Sequence, residues 1–335
     1  MTDIDYRLRQ NRQAYFDGLY AMTLEHRVSP GLVYLYLPGL VQRLRLDEED
    51  SLWLAFLNGV TQNPITTLRL FRELPRCPRP GQDLAAFSTW FNDEWANLAF
   101  DTDRLKNKRL TLDAITSYAE LVEAAGGRQA DLWAGKTYGQ AWSLAANIRS
   151  FGRLSAFSFL EYVHLLGLGP EADDLFFSDL EGSRSHRNGM LLLHGHDELV
   201  WDRRMPNGCT GRYKDLAGMA GRMAYQADAY LSRLSQNQPE LPDVGYNTFE
   251  SALCAFKNSF FGRRYPGVYA DMAWDRIVWY RERGLAEVTE PFALMRQELP
   301  DWLRLETEDR PEERSRRARQ FAETGLPYRA SHFLG

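Results

Sequence analysis

The chain has 335 residues, of which 44% are hydrophobic and 25% are charged; this composition excludes a disordered or collagen-like chain and suffices for a large buried core. It carries 40 Lys and Arg residues against 45 Asp and Glu residues, a formal net charge of −5. Non-specific binding to nucleic acid through bulk charge is therefore disfavoured, and a polyanionic partner needs a local basic site.

The longest apolar stretches, such as residues 32–41, are shorter than the roughly 20 residues that a membrane span needs. The first residues, MTDIDYRLRQNR, lack the apolar segment of a signal peptide. Cys77, Cys209 and Cys254 form no CxxC or Cys/His spacing, which argues against a disulfide framework and a structural zinc site. We expect a cytoplasmic protein that has reduced cysteines and is not embedded in a bilayer.

Helix start and stop signals recur along the first half of the chain. Ser29–Pro30 has the pattern of an N-cap and a first helical residue, and Pro38 predicts a bend or a break in the helix that follows. Asp47 and Thr111 each precede apolar residues at helical spacing and are predicted N-caps. Gly126–Gly127 is predicted to end the helix that begins near Thr111.

The second half of the chain continues this pattern. Apolar and aromatic residues recur at helical spacing over 212–234, 250–257 and 269–283. Alternating strands are hard to find, and residues 190–201 are the best candidate for a short extended element. No repeat of roughly 20–50 residues is visible, which argues against a solenoid. The sequence therefore predicts an all-α or nearly all-α protein.

Four irregular segments are dense in Arg, Asn, Gly and aromatic residues. They cover residues 74–83, 101–110, 180–212 and 259–267. In a helical scaffold, such loops are where a binding or catalytic site is built. We expect one compact helical domain with a cleft over residues 1–300, in one or two lobes, followed by a charged helix or tail over 301–335.

Residues 134–137, AGKT, are similar to the end of a phosphate-binding P-loop. The full motif requires a glycine where Ala130 stands, and no strand precedes it. The sequence therefore does not predict a P-loop kinase.

Residues 165–177, LLGLGPEADDLFF, follow an apolar helical stretch and are predicted to lead into another short helix. A helix, a tight Gly-x-Gly turn and a second helix form the outline of a helix-hairpin-helix element, whose turn offers backbone N–H groups to a DNA phosphate. A plain turn between two helices also explains the pattern.

Residues 178–190 concentrate groups that bind anions. Gly182 and Gly189 are predicted to free the backbone around six polar residues, which are Ser183, Arg184, Ser185, His186, Arg187 and Asn188. Arginine forms bidentate hydrogen bonds with phosphate, hydroxyls and loop N–H groups supply further donors, and histidine moves protons near neutral pH. The pattern predicts an anion-binding loop; the alternative is a helix end with ordinary exposed polar residues.

Residues 250–276 alternate basic and aromatic side chains. The basic ones are predicted to contact phosphate and the aromatic ones to stack on an unpaired base. They are Lys257, Arg263, Arg264, Phe260, Phe261 and Tyr265. Glu250, with Asp271 or Asp275, can act as a base or orient the arginines. The alternative is a buried pair of phenylalanines beside a solvated pair of arginines.

Residues 90–109 form a third cluster. Trp90 shares helical spacing with neighbouring aromatic residues, which is typical of a core as well as of a binding pocket. The charged residues that follow can bind a phosphate, a metal or only water; they are Asp101, Asp103, Arg104, Lys106, Lys108 and Arg109. Upstream, Gln62 and Asn63 can read a base edge, although Asn63 before Pro64 is also a standard helix cap.

Several long strings of this sequence resemble one phage family. They are NGVTQNPITT (58–67), WFNDEW (90–95), FDTDRLKNK (100–108), FGRLSAFSFLEY (151–162), DDLFFSDLEGSRSHRNG (173–189), ESALCAFK (250–257) and RRYPGVYADMAWDRI (263–277). The resemblance covers about residues 10–285. It is to the helical domain of 5-hydroxymethyluracil DNA kinases and to the related amino acid:DNA transferases, formerly called α-glutamyl/putrescinyl-thymine pyrophosphorylases.

The resemblance implies a step in thymidine hypermodification, carried out in the host cytoplasm during phage infection. In that scheme a kinase activates hydroxymethyluracil in DNA as a pyrophosphoryl ester, and a second enzyme lets the amine of an amino acid or polyamine displace pyrophosphate. Because the chain has no P-loop, the second step fits better, with a separate kinase upstream. Such enzymes have been likened to helix-hairpin-helix DNA glycosylases, which implies base flipping into a cleft.

This chemistry needs an unprotonated amine, a site for the leaving pyrophosphate and a dry pocket for the base. The expected proton acceptors are His186, Glu250 and Asp179. The residues expected to bind pyrophosphate, DNA phosphate or the amino-acid carboxylate are Ser183, Arg184, Arg187, Asn188, Lys257, Arg263, Arg264, Arg104 and Lys106. The expected base pocket consists of Asn63, Gln62, Phe260, Tyr265 and Trp90. The sequence identifies no cofactor; Mg²⁺ on Asp101 and Asp103 is compatible with pyrophosphate, and Arg and Lys side chains without a metal would serve as well.

Three other functions fit parts of the pattern. The first is a non-catalytic DNA-binding or scaffold subunit that works with a separate kinase. The second is a base-excision enzyme that needs no amine, and the third is a structural helical protein.

Overall fold

The structure is a computed structural model and describes residues 5, 8–26, 33–80, 84–100, 110–180, 182–200, 210–261, 263–264, 268–296, 319–320 and 323–324. The helices, in chain order, are α1 (Arg9–Glu25), α2 (Val33–Leu44), α3 (Glu48–Thr61), α4 (Pro64–Glu73), α5 (Leu84–Asp93), α6 (Thr111–Ala124), α7 (Gln129–Trp133), α8 (Tyr138–Ala146), α9 (Gly152–Leu165), α10 (Arg184–Leu193), α11 (Thr210–Asn237), α12 (Tyr246–Phe260), α13 (Val268–Arg281) and α14 (Ala286–Arg296). Short 3₁₀ turns cover Trp95–Asn97 and Asp197–Leu199. The described residues contain no strand, which confirms the predicted all-α class.

The chain divides into two compact units. The first comprises residues 1–30, 172–272 and 299–335, and the second comprises residues 31–171 and 273–298. The assignment of residues 1–300 to one domain and 301–335 to a tail stays a prediction. No described helix is both long and apolar enough to cross a bilayer.

The core of the first unit is an aromatic cluster between α1, α11 and α12. Phe16 of α1 lies 5.4 Å from Phe256 and 5.6 Å from Phe249, measured between ring centroids, and it is fully buried. Tyr230 of α11 stacks on Phe249 at 4.9 Å. Burying such rings removes a large apolar area from water, which is the main favourable contribution to folding.

An ion pair between a buried arginine and a partly exposed aspartate ties α1 to the segment that follows α10. The Arg12 guanidinium donates to Asp197 Oδ1 at 2.6 Å and Oδ2 at 3.0 Å, and also to the Leu192 carbonyl oxygen at 2.7 Å. These charge-assisted hydrogen bonds from Arg12 hold the pKa of the Asp197 carboxyl below its usual value. The pair therefore fixes the C-terminal end of α10 against α1.

Helices α10 and α12 cross closely because Gly189 has no side chain. A Cβ atom built on Gly189 would lie 2.2 Å from the Leu253 carbonyl oxygen and 2.8 Å from its carbonyl carbon. We expected Gly189 to free the backbone of a loop, and that interpretation was wrong. Its role is to let two helix backbones approach each other, which brings the side chains on either side of it into contact.

The second unit has its own aromatic core. Phe56 of α3 stacks on Tyr118 of α6 with ring centroids 4.0 Å apart and an interplanar angle of 6°. Phe159 of α9 contacts both rings edge-on at 5.8 Å. All three side chains are buried. This stack joins α3, α6 and α9 and explains why the apolar stripes of these helices face one another.

Local helix signals are reproduced at most predicted positions. Asp47 Oδ1 accepts a hydrogen bond from the Asp50 amide at 2.8 Å, and Gly126–Gly127 has the positive φ values of a helix end. Thr111 is an exception, since it is the first helical residue and Leu110 precedes it without a side-chain cap. Pro38 lies inside α2, which runs through it as one helix.

Three expected features differ in the structure. Residues 184–193 form a helix and not a loop, and residues 190–193 are its last turn and not an extended element. After α9, Gly167 has a φ of 72° and the Leu168 amide bonds to the Val163 carbonyl at 2.9 Å, which ends the helix in a left-handed turn. Residues 171–176 form no helix. The second helix of the expected hairpin is therefore absent at this position.

Candidate functional site

The polar residues expected to bind an anion lie at the start of α10 in the first unit. Four of them are buried, namely Ser183 and Arg187 at 0% exposure, and His186 and Asn188 at 4%. Arg184 and Ser185 are half-buried. Because the segment is helical, its side chains point in different directions, and only some of them face α12.

His186 and Glu250 form a buried hydrogen-bonded pair across α10 and α12. His186 Nδ1 lies 2.7 Å from Glu250 Oε1, and Nε2 lies 2.7 Å from the Leu175 carbonyl oxygen. A carbonyl oxygen only accepts, so Nε2 carries a proton and donates it to Leu175. Nδ1 and Oε1 consequently share a second proton, as imidazolium and carboxylate or as imidazole and carboxylic acid. Both ring nitrogens are thus engaged within the protein.

Arg187 lies on the side of α10 that faces the preceding segment. Its Nη1 donates to the Leu180 carbonyl oxygen and lies 3.5 Å from Ser183 Oγ. Ser183 Oγ donates to the Asp179 carbonyl oxygen at 2.6 Å, and Asp179 Oδ1 accepts from the Gly182 amide at 2.9 Å. In the described contacts, these three predicted site residues hold the chain in place as it enters α10.

A second polar contact between α10 and α12 joins Ser185, Cys254 and Lys257. Ser185 Oγ lies 2.9 Å from Cys254 Sγ and accepts a hydrogen bond from Lys257 Nζ at 2.9 Å. Burial raises the pKa of the Cys254 thiol, as does the Glu250 carboxylate, whereas Lys257 and Ser185 lower it. The thiol is therefore a neutral neighbour of the Lys257 ammonium.

The sequence predicted Ser185 only as one donor of an anion-binding loop, and it assigned Cys254 no role at the site. The available signal was the spacing on α12, since Glu250, Cys254 and Lys257 are four and three residues apart and so share one helix face. The spacing alone does not identify α10 as the helix that covers this face. We call the surface formed by Ser185, His186, Glu250, Cys254 and Lys257 the α10–α12 seam.

The end of α12 carries the predicted stacking and basic residues. Phe260 packs on Phe256 at 4.8 Å, and the Arg12 guanidinium lies 5.0 Å from the centre of the Phe260 ring. Arg263 is exposed, and Arg264 is half-buried and donates to the Arg263 carbonyl oxygen at 3.0 Å. Phe260 is thus partly covered by a cation from α1.

Three predicted base-pocket residues lie in the second unit. Asn63 caps α4, with Oδ1 accepting from the amides of residues 65 and 66 at 3.1 Å. Gln62 accepts from Ser158 at 3.2 Å and donates to the Gly59 carbonyl oxygen at 3.2 Å. Trp90 lies 5.6 Å from the Arg69 guanidinium. The cap interpretation of Asn63 is confirmed.

Asn63 also lines a small cavity of the second unit. The cavity has room for about one water molecule, with about 10 Å³ open to the centre of a water-sized sphere, and two aromatic residues, Tyr36 and Phe292, form part of the wall with Arg276.

Some predicted residues lie outside the described residues. These are Arg104, Lys106 and Tyr265, together with the expected metal ligands Asp101 and Asp103. Within the described ranges, no group of three or more His, Cys, Asp or Glu side chains is arranged to hold a metal ion.

Comparison with known proteins gives two matches. A family model described as amino acid:DNA transferase matches residues 39–265. A protein of Salmonella phage ViI named serinyltransferase is 26% identical over 317 residues, which cover 84% of this chain and 71% of the relative. No solved structure matches.

Proposed function

Because the chain belongs to the amino acid:DNA transferase family, we propose that it transfers a free amino acid onto 5-hydroxymethyluracil in phage DNA that a separate kinase has activated with a pyrophosphoryl group. The similarity to a phage serinyltransferase supports serine as the first donor to test. A polyamine is the second class of donor.

The reaction is a substitution at the exocyclic carbon of the base. The amine nitrogen of the amino acid forms a bond to this carbon, the bond from carbon to the ester oxygen breaks, and its electron pair leaves with pyrophosphate. The nitrogen then loses one proton. A serine hydroxyl can attack in the same way, with the same loss of one proton. Either route needs a proton acceptor beside the nucleophile and cations beside the leaving group.

The observation that carries this proposal is the charged α10–α12 seam, and Glu250 is its best proton acceptor. The Glu250 side chain is 16% exposed, and Oε1 is held by His186 at 2.7 Å. Among the described residues, Oε2 has no hydrogen-bond partner. His186 then acts as a positioning residue, because neither of its ring nitrogens is free to accept a proton from the substrate.

Arg184 and Lys257 are the cations of this region that can reach a bound pyrophosphate or carboxylate, since each is half-buried and not fully enclosed. Arg187 is at 0% exposure and holds the segment that precedes α10 through its hydrogen bond to the Leu180 carbonyl oxygen. Mg²⁺ is a further source of positive charge for pyrophosphate. The base-pocket roles of Asn63, Gln62, Phe260, Trp90 and Tyr265 stay predictions.

The test is a nucleoside mass analysis of DNA that carries pyrophosphorylated 5-hydroxymethyluracil. The DNA is incubated with the protein and either the twenty amino acids or a polyamine mixture, with and without Mg²⁺. We expect a new nucleoside whose mass equals thymidine plus one donor less two hydrogens. DNA with unactivated hydroxymethyluracil is the control. For a serine product, labelling with o-phthalaldehyde separates attachment through nitrogen from attachment through oxygen, because this reagent labels primary amines and only attachment through oxygen leaves one.

Two results would contradict the proposal. Bound but unchanged DNA in every mixture would favour the non-catalytic scaffold subunit. Release of a free base without any donor would favour base excision.

A further inference from the structure

The α10–α12 seam presents an ammonium group, on Lys257, and a carboxyl acceptor, on Glu250, that are not paired with each other. Lys257 Nζ has one hydrogen-bond partner among the described residues, the Ser185 hydroxyl at 2.9 Å. Glu250 pairs with His186 and not with Lys257, so its carboxylate lies more than 4.0 Å from Nζ. A lysine ammonium has three donors, and two of those on Lys257 are therefore available to a ligand.

The spacing of these two groups suits a short ligand. Glu250 and Lys257 are seven residues apart on one helix face, but Lys257 Nζ and Cys254 Sγ contact the same atom, Ser185 Oγ. The ammonium is thus drawn back towards Cys254, which is four residues and about 6 Å along the helix axis from Glu250. An α-amino acid with one hydrogen bond at each end bridges charges up to about 8–9 Å apart.

The hydrogen-bonding groups of the seam favour a zwitterion over a simple anion. Glu250 and His186 share one proton and carry no net charge as a pair, but Glu250 Oε2 is an acceptor and offers no donor to a phosphate or pyrophosphate bound at Lys257. A free amino acid places its ammonium against that acceptor and its carboxylate against Lys257. The thiol of Cys254 lies between the two groups, and burial raises its pKa, so it does not add a negative charge of its own.

We propose that the α10–α12 seam is the subsite for the free amino acid, with the substrate ammonium on Glu250 and the substrate carboxylate on Lys257 and Ser185. This inference rests on the proposed function. In this arrangement Glu250 receives the proton that the bound ammonium must lose before its nitrogen can attack, so binding and activation of the donor occur at one carboxylate.

The first experiment measures amino-acid binding without DNA and without turnover. The full chain is mixed with the twenty L-amino acids, and bound ones are detected by saturation-transfer NMR. The dissociation constant of the best binder is then compared with that of its α-amide, which lacks the carboxylate charge, for wild type, Lys257→Met and Lys214→Met. Lys214 is an exposed lysine of α11 and serves as the control.

A charge-assisted hydrogen bond contributes about 1.5–3 kcal/mol, so we expect the amide to bind wild type about 10-fold or more weakly than the acid. Lys257→Met should weaken binding of the free amino acid by a similar factor and remove the preference for the amino acid over its α-amide. Lys214→Met should behave as wild type. The proposal is overturned if no amino acid binds, or if Lys257→Met keeps the full preference.

The second experiment separates this subsite from a phosphate site. With activated DNA as substrate, Lys257→Met should raise the KM for the amino acid about 10-fold or more, while the KM for DNA and inhibition by pyrophosphate stay within about 2-fold. A rise in the KM for DNA alone, or loss of pyrophosphate inhibition alone, would assign Lys257 to phosphate and overturn the inference. Transfer that occurs normally in that case leaves the proposed function intact.

Discussion

Replacing Gly189 with alanine is the sharpest test of how the α10–α12 seam is built. The new Cβ would lie 2.2 Å from the Leu253 carbonyl oxygen, where ordinary contacts begin at 3.4 Å, so the helices must separate by about 1 Å. Overpacking of this kind costs about 1–3 kcal/mol, and the better helix propensity of alanine recovers about 1 kcal/mol. The difference is about 0–2 kcal/mol of destabilisation, and we expect the upper half of this range, about 1–2 kcal/mol, because the colliding atoms are backbone and cannot rotate away.

The same shift also stretches the 2.7 Å hydrogen bond between His186 and Glu250, so turnover by the folded protein should fall more than the loss of stability alone explains. A misplacement of about 1 Å can cost about 100-fold in rate. Urea unfolding measures the first effect and the transfer assay the second. Gly218→Ala is the matched control, since Gly218 is a helical glycine of α11 with no atom within 4 Å of its added Cβ, and it should stabilise by about 0.5–1 kcal/mol. A Gly189→Ala protein as stable as wild type would refute the reasoning.

Three further predictions concern single side chains. Asp197→Asn should destabilise the protein at neutral pH. Arg12 lowers the folded-state pKa of Asp197, so the stabilisation from the ionised carboxylate is present above the unfolded pKa of about 3.9 and is lost as the pH falls through the folded value. Urea unfolding at a series of pH values should therefore show the stabilities of wild type and variant converging at the acid end. His186→Ala should reduce turnover about 10-fold or more and change its pH profile while DNA affinity stays unchanged, and an equal loss of DNA binding would argue against the role of His186 in positioning Glu250. Asn63→Ala should lower the free energy of unfolding in urea by about 1 kcal/mol because the α4 cap is lost, whereas Asn63→Asp should retain the cap. Equal stability of the two variants would argue against the cap.

Features encoded within one or two turns of a helix could be predicted from the sequence. Asp47 and Asn63 cap their helices because the donor amides are two or three residues away. The all-α class followed from the spacing of apolar residues, which needs no knowledge of the partner helix. The resemblance to the transferase family rested on long strings and was confirmed by the family match.

Features that depend on a distant segment could not be predicted. Gly189 was interpreted as loop freedom, since the reason for a glycine that faces Leu253 is invisible until α12 is in place. The run of apolar residues at 190–193 fits either a buried strand or a helix, and packing against the rest of the first unit selects the helix. Ser185 and Cys254 are 69 positions apart, and the sequence around either residue does not predict their contact.

The first unit joins chain segments that are made at very different times. Tyr20 of α1 bonds to Thr248 of α12, 228 positions later, and neighbouring aromatic residues of α1 pack on the same helix. At a synthesis rate of about 5–20 residues per second, the aromatic face of α1 waits for about 10–45 s before α12 emerges. Residues 33–165, which carry the aromatic stack of the second unit, are made well before then. The aromatic face of α1 is thus without its partner helix until α12 is made, and the yield of folded protein should depend on how well chaperones shield α1 during that interval.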